Sequence, residues 1–287
     1  MKRAPKMSFV MLVLIATLAI GEAKKELRFT VGPKAYVTVI NQYGPISVKS
    51  TAGNLVVVNA TLHSDKVEVD SGQDGNRVDI QSHLLPGANA DSGRVDYEVL
   101  VPADASVTLH SPTGPLHAEN LHGDVTLEGS GAAMDVRDVS DGHVHVNTMN
   151  GLVTLTNIQN GHVEINSVSG DVNLNEVSGP KVQVISTTGK ILYNGDFGMG
   201  GAYSLNSYSG DIEATIPADV SLKVAARSLH GKVQNDFPFA PDPHPTFAVV
   251  PGSSLAGTVS AFAGTIHKVA SSVSLRSFSG KIRLKKR

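Results

Sequence analysis

Cysteine and tryptophan are missing from this 287-residue chain, and aromatic residues make up only 5% of it. Without cysteine the protein has no disulfide scaffold, no cysteine-ligated zinc or iron–sulfur centre, no thiol nucleophile and no lipid-modified N-terminal cysteine. The formal net charge of −2 is too weak to indicate a nucleic-acid binder. The 28 glycines and the few aromatic residues indicate a thin core of small β-branched side chains.

Catalytic signatures are missing as well. The chain has no Gly-x-Ser-x-Gly elbow, no His-Glu-x-x-His pair and no nucleotide fingerprint. Gly198–Gly201 is not a phosphate loop, because no Lys-Ser/Thr pair follows the glycines. Asp70–Gly75 resembles a calcium loop only faintly, since Gly72 and Gln81 fall where oxygen ligands are needed. We therefore predict a protein that is not an enzyme and carries no cofactor.

The first 23 residues have the layout of a secretory signal peptide. A basic start precedes the apolar run Ser8–Ile20, whose length of about 13 residues is short of the roughly 20 that cross a bilayer core. Gly21 and Ala23 place small residues before a cut after Ala23. We predict cleavage and export to the periplasm, the outer surface or the medium of a bacterium, without a later membrane span. An uncleaved N-terminal anchor is the alternative.

Apolar residues recur every 19 positions through the middle of the chain. They come in pairs two residues apart, which is the period of a strand that buries one face. Dipeptides such as Asn150-Gly151 and Asn160-Gly161 separate the pairs, and we expect them to supply corners with positive φ. The columns are Val125, Val144, Val163 and Val182; Leu127, Val146, Ile165 and Val184; Met134, Val153, Val172 and Ile191; Val136, Leu155, Leu174 and Tyr193; and Val139, Ile158 and Val177.

Two architectures compete for this pattern, a chain of antiparallel hairpins and a parallel β-solenoid. Only a solenoid requires the same residue type every 19 positions, because equivalent positions of successive coils lie about 4.8 Å apart. We therefore predict an all-β parallel solenoid in which each coil lies on the one before. It forms a single domain at 24–287, with regular coils at about 105–235, a proline-rich loop at 236–251 and C-terminal coils at 252–287.

The recurring Ser-x-Ser-Gly-x-Ile/Val corners resemble those of an uncharacterised family of exported bacterial proteins with β-strand repeats, described as "putative adhesins". The resemblance spans roughly residues 35–287. It implies a β-solenoid-like fold and brings no catalytic residues. The segments that carry it are Asn166–Leu174, Asn206–Ile212, Arg276–Ile282 and the alternating strand Val95–Pro102.

A patch of histidines and carboxylates is the one candidate metal site. If the valines point inward, then His143, His145, His162 and Glu164 point outward, and the 19-residue register puts His162 over His143 and Glu164 over His145. Asp124 lies one coil below His143. Nitrogen and oxygen ligands in this arrangement suit zinc, nickel or copper. The alternative is a solvated polar ladder, since a flat sheet face supports metal ligands poorly.

Taken together, the residues predict an exported, non-enzymatic β-solenoid that acts as an adhesin-like binding or structural module of the cell envelope. Extended partners such as a polysaccharide or an envelope protein suit its long faces. A scaffold that self-associates end to end is one alternative, and a polysaccharide-active β-helix enzyme is another. The basic C-terminus, 281–287, predicts a capping strand that discourages end-to-end pairing.

Overall fold

The computed structural model describes residues 23–242 and 261–287, and these ranges contain strands but no helix. No helix in the described ranges is therefore long and apolar enough to cross a membrane. The predicted signal peptide, apart from Ala23, lies outside the described residues, as do 243–251 of the predicted proline-rich loop and the beginning of the C-terminal coils.

The described strands form two sheets that face each other across the core. The twelve-stranded sheet contains β1 (Ala23–Thr30), β3 (Ile46–Thr51), β4 (Leu55–Leu62), β7 (Val95–Pro102), β9 (Leu116–Leu121), β11 (Met134–Ser140), β13 (Val153–Gln159), β15 (Val172–Val177), β17 (Ile191–Asn194), β19 (Ile212–Ile216), β21 (Val233–Asn235) and β25 (Ile282–Lys286). The thirteen-stranded sheet contains β2 (Tyr36–Ile40), β5 (Val67–Asp74), β6 (Arg77–Leu84), β8 (Ser106–His110), β10 (Val125–Gly129), β12 (His143–Thr148), β14 (His162–Ser167), β16 (Lys181–Ser186), β18 (Ala202–Ser207), β20 (Leu222–Ser228), β22 (Ala240–Pro241), β23 (Ala261–Ile266) and β24 (Ser271–Ser277).

The centre of the molecule confirms the parallel solenoid. From β8 to β19 each coil adds one strand to each sheet, and every strand pairs in parallel with its equivalent in the next coil. Val125 is in register with Val144, Val144 with Val163, and Val163 with Val182. These four valines are buried between the sheets, so the 19-residue columns form the core.

The corner dipeptides confirm the expected positive φ only in part. At Asn160-Gly161 the positive φ falls on Asn160 (φ 56°) and not on Gly161, and neither residue of Asn150-Gly151 has a positive φ. A Cβ on Gly151 would lie 1.8 Å from the carbonyl oxygen of Ala132, and one on Gly170 would lie 1.9 Å from that of Gly151. Glycine is therefore needed because the backbones of successive coils approach each other too closely for a side chain.

Coil order at both ends departs from the prediction that each coil lies on the one before. The coil β2–β3 is inserted between β6–β7 and β8–β9, and the coil β24–β25 is inserted between β18–β19 and β20–β21. The basic segment 281–287 is therefore not a capping strand, because β25 pairs with β19 on one side and with β21 on the other. Each inserted coil lies between two coils that are consecutive in the chain, and the inserted coil itself is distant from both in sequence.

Antiparallel strands flank the parallel stack. At one end β4 pairs with β7 and β1, and β5 forms a hairpin with β6; at the other end β23 pairs with β20 and β22. The hairpin architecture therefore occurs only locally. The edge strand β1 exposes Lys24 and Arg28, and the edge strand β5 exposes Glu68 and Asp70. Charged side chains on an edge discourage further strand pairing.

The coil between β17 and β18 lengthens around a small aromatic cluster. The Tyr193 ring stacks on Phe197 at a centroid distance of 4.2 Å, and its hydroxyl donates to the carbonyl oxygen of Val177 at 2.9 Å. Burial raises the pKa of Tyr193. Gly198 (φ 60°) and Gly200 (φ 77°) turn the chain after this cluster, with backbone angles that favour glycine.

Candidate binding surface

The histidine patch has the predicted register. On paired strands β12 and β14, His143 lies beside His162 and His145 lies beside Glu164. The His143 and His162 rings stack with centroids 4.8 Å apart and an interplanar angle of 4°. Zinc binds imidazole nitrogens at about 2.0–2.1 Å, so one ring would have to turn before both nitrogens reached one ion.

The neighbours of these histidines have other hydrogen-bond partners. The Asp124 carboxylate accepts the backbone N–H of His143 at 2.9 Å, and His145 Nε2 lies 2.8 Å from the Asn147 amide nitrogen. Over the described ranges, no group of three or more histidine, aspartate or glutamate side chains has an arrangement that could hold a metal ion. A metal site at the patch stays a prediction. Saturable heat on titration with zinc or nickel, lost in His143→Gln, would support it.

A hydroxyl-capped turn closes the ends of β12, β14, β16, β18, β20 and β24 in the thirteen-stranded sheet, and these turns form a second surface. The buried Thr148 hydroxyl accepts the N–H of Gly151 at 2.9 Å, and the Ser167 hydroxyl donates to the carbonyl of Gly170 at 2.7 Å. The residue after each hydroxyl faces solvent. We call these residues the turn ladder; they are Met149, Val168, Thr187, Tyr208, Phe278 and Leu229.

The turn ladder is unusually apolar for an exposed edge. Met149 is 54% exposed, Val168 47%, Tyr208 57%, Phe278 39% and Leu229 48%. The Tyr208 and Phe278 rings stack with centroids 4.7 Å apart, so each ring covers one face of the other. An exposed strip that is apolar except at Thr187 indicates an interaction surface.

A column that is polar except at Ile185 runs beside the turn ladder, at the last outward position of seven neighbouring strands. We call it the strand-end column, and the space between the two is the groove. The Asn166 amide donates to the Asn147 side-chain oxygen at 3.2 Å, linking successive coils. The column is Glu128, Asn147, Asn166, Ile185, Asn206, Arg276 and Arg227 in spatial order.

The groove has two deeper sections and opposite charges at its ends. One section of about 380 Å³ lies beside Asn147 and Asn166, and one of about 350 Å³ lies beside Arg276 and Phe278. Glu128 lies 3.6 Å from His110 at the first end. The groove can therefore offer apolar contact, amide hydrogen bonds and, at the far end, guanidinium groups.

Sequence reasoning missed this groove. Tyr208 and Phe278 lie 70 positions apart and become neighbours only because β24 pairs with β18. The signal was present in two similar motifs, Ser207-Tyr208-Ser209-Gly210 and Ser277-Phe278-Ser279-Gly280, which share an aromatic second residue. Placing them in one register would have brought the rings together.

A charged cluster on the twelve-stranded sheet is satisfied internally. His117 lies 3.0 Å from Asp135 and 3.2 Å from Glu119, and Lys49 lies 3.1 Å from the Glu119 carboxylate. The hydrogen bond with His117 is the main reason why the pKa of the Glu119 carboxylate lies below its ordinary value. The hydrogen bond with Lys49 lowers this pKa further. Every carboxylate in the cluster has a basic partner. The cluster is therefore better suited to holding successive coils together than to transferring protons.

Comparison with known families matches residues 39–244 to the family described as Toastrack DUF4097. A solved structure titled as a "putative adhesin" from Bacteroides fragilis is 10% identical, covering 94% of this chain and 98% of that chain, with a TM-score of 0.40. A "putative cell adhesion protein" from Clostridium sporogenes is 12% identical, covering 92% and 100%, with a TM-score of 0.26. These two likenesses are too distant to support a statement about function. No curated protein matches the sequence.

Proposed function

Since this chain belongs to the Toastrack DUF4097 family, we propose that it is an exported, non-enzymatic, adhesin-like module of the bacterial cell envelope that binds an extended partner along the groove. The observation that carries the proposal is the turn ladder, which keeps apolar side chains exposed in coil after coil. Selection for solubility alone would favour polar residues there.

The regular spacing of the groove suits a polymer. Each coil presents one turn-ladder residue and one strand-end residue, and the next coil repeats the pair about 4.8 Å further on. A partner with repeating units can therefore make the same contact several times. Contacts that are weak singly add up when they are linked along one chain.

End-to-end assembly is less well supported than groove binding. The edge strand β1 exposes Lys24 and Arg28, and the edge strand β5 exposes Glu68 and Asp70. Such edges would have to bury charge to extend either sheet. The exported module is therefore proposed to act as a single rod rather than as a unit of a filament.

The groove is also poorly equipped for hydrolysis. Glycosidases place two carboxyl groups across the scissile bond. Among the described residues that line the two deeper sections, Glu128 is the one carboxylate. A binding role therefore fits the lining better than a catalytic one.

A polysaccharide array probed with the purified protein tests the proposal, with an assay of new reducing ends on the same polymers. We expect binding without turnover, and weaker binding by Val168→Ser. Leu152→Ser is the matched control, because Leu152 is 46% exposed, like Val168 at 47%, but does not line the groove. Equal loss in the two variants, or binding to no polymer, would contradict the proposal. Turnover would favour the enzyme.

A further inference from the structure

We infer that a cleft on the outer face of the twelve-stranded sheet is a second binding site, which takes a short stretch of a neutral, hydroxyl-rich saccharide. The cleft lies on the other sheet from the groove, so the inference goes beyond the proposed function. It crosses β15, β17 and β19 and has a volume of about 360 Å³. Its outward-facing side chains are Asn173, Asn175, Leu192, Asn194, Glu213 and Thr215. We call it the amide cleft.

The asparagine side chains of the amide cleft have no partners within the protein. Asn175 and Asn194 are in register on neighbouring strands. The corresponding neighbours in the other sheet, Asn147 and Asn166, are joined by a hydrogen bond of 3.2 Å. Within residues 23–242 and 261–287, by contrast, the side chains of Asn173, Asn175 and Asn194 form no hydrogen bond. Their donors and acceptors are therefore available to a ligand.

The chemistry of this lining matches that of sugar hydroxyls. Each amide offers two N–H donors and a carbonyl acceptor, and a hydroxyl group both donates and accepts. Thr215 adds a hydroxyl, and the half-buried Leu192 gives one apolar contact for the C–H groups of a sugar ring. The Asn173 side-chain oxygen is shielded from solvent and has no partner among the described residues. The lining is thus partly dehydrated, which strengthens hydrogen bonds formed there.

The charges around the amide cleft favour a neutral ligand. Glu213 is the one carboxylate among the described residues of the lining, and no lysine or arginine lines it there. The hydrogen bond from Lys285 holds the pKa of Glu213 below its ordinary value, so this carboxylate is ionised at neutral pH and repels an acidic sugar. A basic ligand gains little, because Lys285 already balances the charge of Glu213.

The size of the amide cleft limits how much of a saccharide it holds. Its volume lies at the lower end of the roughly 300–1,000 Å³ that is usual for small-ligand sites. A short stretch of a few sugar residues therefore fits better than a long chain. Because a glycosidase needs two carboxyl groups across the scissile bond and the described lining supplies one, we expect binding without hydrolysis.

A titration of the isotope-labelled full chain, followed by NMR of the asparagine side-chain amides, tests the inference. The neutral probes are maltohexaose, cellohexaose and xylohexaose, and hexagalacturonate is the acidic one. We expect at least one neutral probe to shift the Asn175 and Asn194 signals saturably, with an affinity at least tenfold above that of hexagalacturonate. Unmoved signals with all three neutral probes, or equal affinity for the acidic one, would overturn the inference.

A pair of variants locates the contact. Asn175→Ala should weaken binding of the neutral probe about threefold to tenfold, since it removes neutral hydrogen bonds. Asn59→Ala is the matched control, because Asn59 is another half-buried, outward-facing amide of the same sheet but lies on β4, near its other end. Both variants should melt like the parent protein, because both side chains lie outside the core. Equal losses of affinity would overturn the inference.

The groove variant Val168→Ser separates this site from the proposed function. Binding of the neutral probe that Asn175→Ala weakens and Val168→Ser leaves unchanged would support the amide cleft, whatever the groove binds. The reverse result would place the saccharide in the groove, which would support the proposed function and overturn the inference.

Discussion

The centre and the two ends of this rod use the same coil but assemble it differently. In the centre, strands from β8 to β19 stack in chain order with a step of 18, 19 or 21 residues. At each end a terminal coil is inserted between two coils that are not its neighbours in sequence. Val144 has partners 19 residues away on both sides, whereas Leu275 pairs with Leu205 and Ala226.

This difference has a consequence for folding. A stack in chain order can grow one coil at a time, since each coil contacts only its neighbours. An inserted coil must instead enter between two coils that are consecutive in the chain but distant from it in sequence, with a larger loop-closure cost. Once in place, it attaches a distant part of the chain to both of them. The inserted coils therefore hold the ends of the stack together, and antiparallel strands lie beyond them.

The largest effect is expected from a charge buried in the centre. Val163 is 1% exposed and is in register with Val144 and Val182. Val163→Asp would bury an unpaired carboxylate there and cost several kcal/mol. Urea denaturation should show a large loss of stability or an unfolded protein.

Val163→Ala is the control for this variant, because it removes the same side chain without adding a charge. It should cost no more than about 1–3 kcal/mol. If Val163→Asp melts like the parent protein, the side chain is not inside the stack and the central register is wrong.

The next largest effect tests the inserted C-terminal coil. Leu284 is fully buried and lies between Ala214 of β19 and Asn235 of β21. Leu284→Ala should cost about 2–5 kcal/mol through the cavity it leaves. Hydrogen exchange should rise in β19 and β21 together, although β20 separates them in sequence. Lys286→Ala, an exposed change in the same strand, should leave exchange unchanged. Faster exchange in β25 alone would contradict the insertion.

Periodicity predicted the centre and could not have predicted the ends. A column such as Val125 to Val182 identifies both the buried face and the partner strand, because the repeat is unbroken. The repeat period alone does not separate a coil that stacks on its predecessor from one that is inserted elsewhere. Ser277–Gly280 shares both serines and the glycine with Ser207–Gly210 and with Ser167–Gly170, and only the aromatic second residue favours Ser207–Gly210. The choice depends on which edge is open, which is a property of the whole chain.

The same reasoning explains what the sequence revealed of the two surfaces. The histidine patch lies in the centre, so its register was predicted correctly, down to His143 beside His162. The groove depends on Phe278 from the inserted coil, so its aromatic and arginine end was missed. The orientation of side chains, such as the parallel stack of the two imidazoles, lay beyond any periodicity argument.

A pair of glycine substitutions sharpens the comparison between centre and end. A Cβ on Gly170 would lie 1.9 Å from the carbonyl oxygen of Gly151, and one on Gly280 would lie 2.1 Å from that of Gly210. Each change to alanine should force the coils apart and cost about 1–3 kcal/mol. Similar losses would show that the inserted coil packs as tightly as a central one. Thermal unfolding measures both.

Gly131→Ala is the control for these two variants, because a Cβ there would meet no atom within 4 Å and its φ is not positive. Its effect should be close to zero. A loss for Gly170→Ala with none for Gly280→Ala would mean that the C-terminal coil is attached loosely. The opposite result would contradict close stacking in the centre.

The smallest effect concerns the ion pair between Glu213 of β19 and Lys285 of the inserted β25. The hydrogen bond from Lys285 holds the pKa of Glu213 below its ordinary value of 4.5. A carboxylate with a lowered folded pKa stabilises the protein above its unfolded pKa, and that contribution is lost as the pH falls through the folded value. Glu213→Gln should therefore cost less than about 1 kcal/mol at neutral pH and nothing in strong acid. The melting temperatures of the parent protein and of Glu213→Gln, measured from neutral pH to strong acid, give this difference in stability. Glu98→Gln is the control. An equal difference at both extremes would mean that the effect of Glu213 is not electrostatic, and that this pair does not fasten the inserted coil.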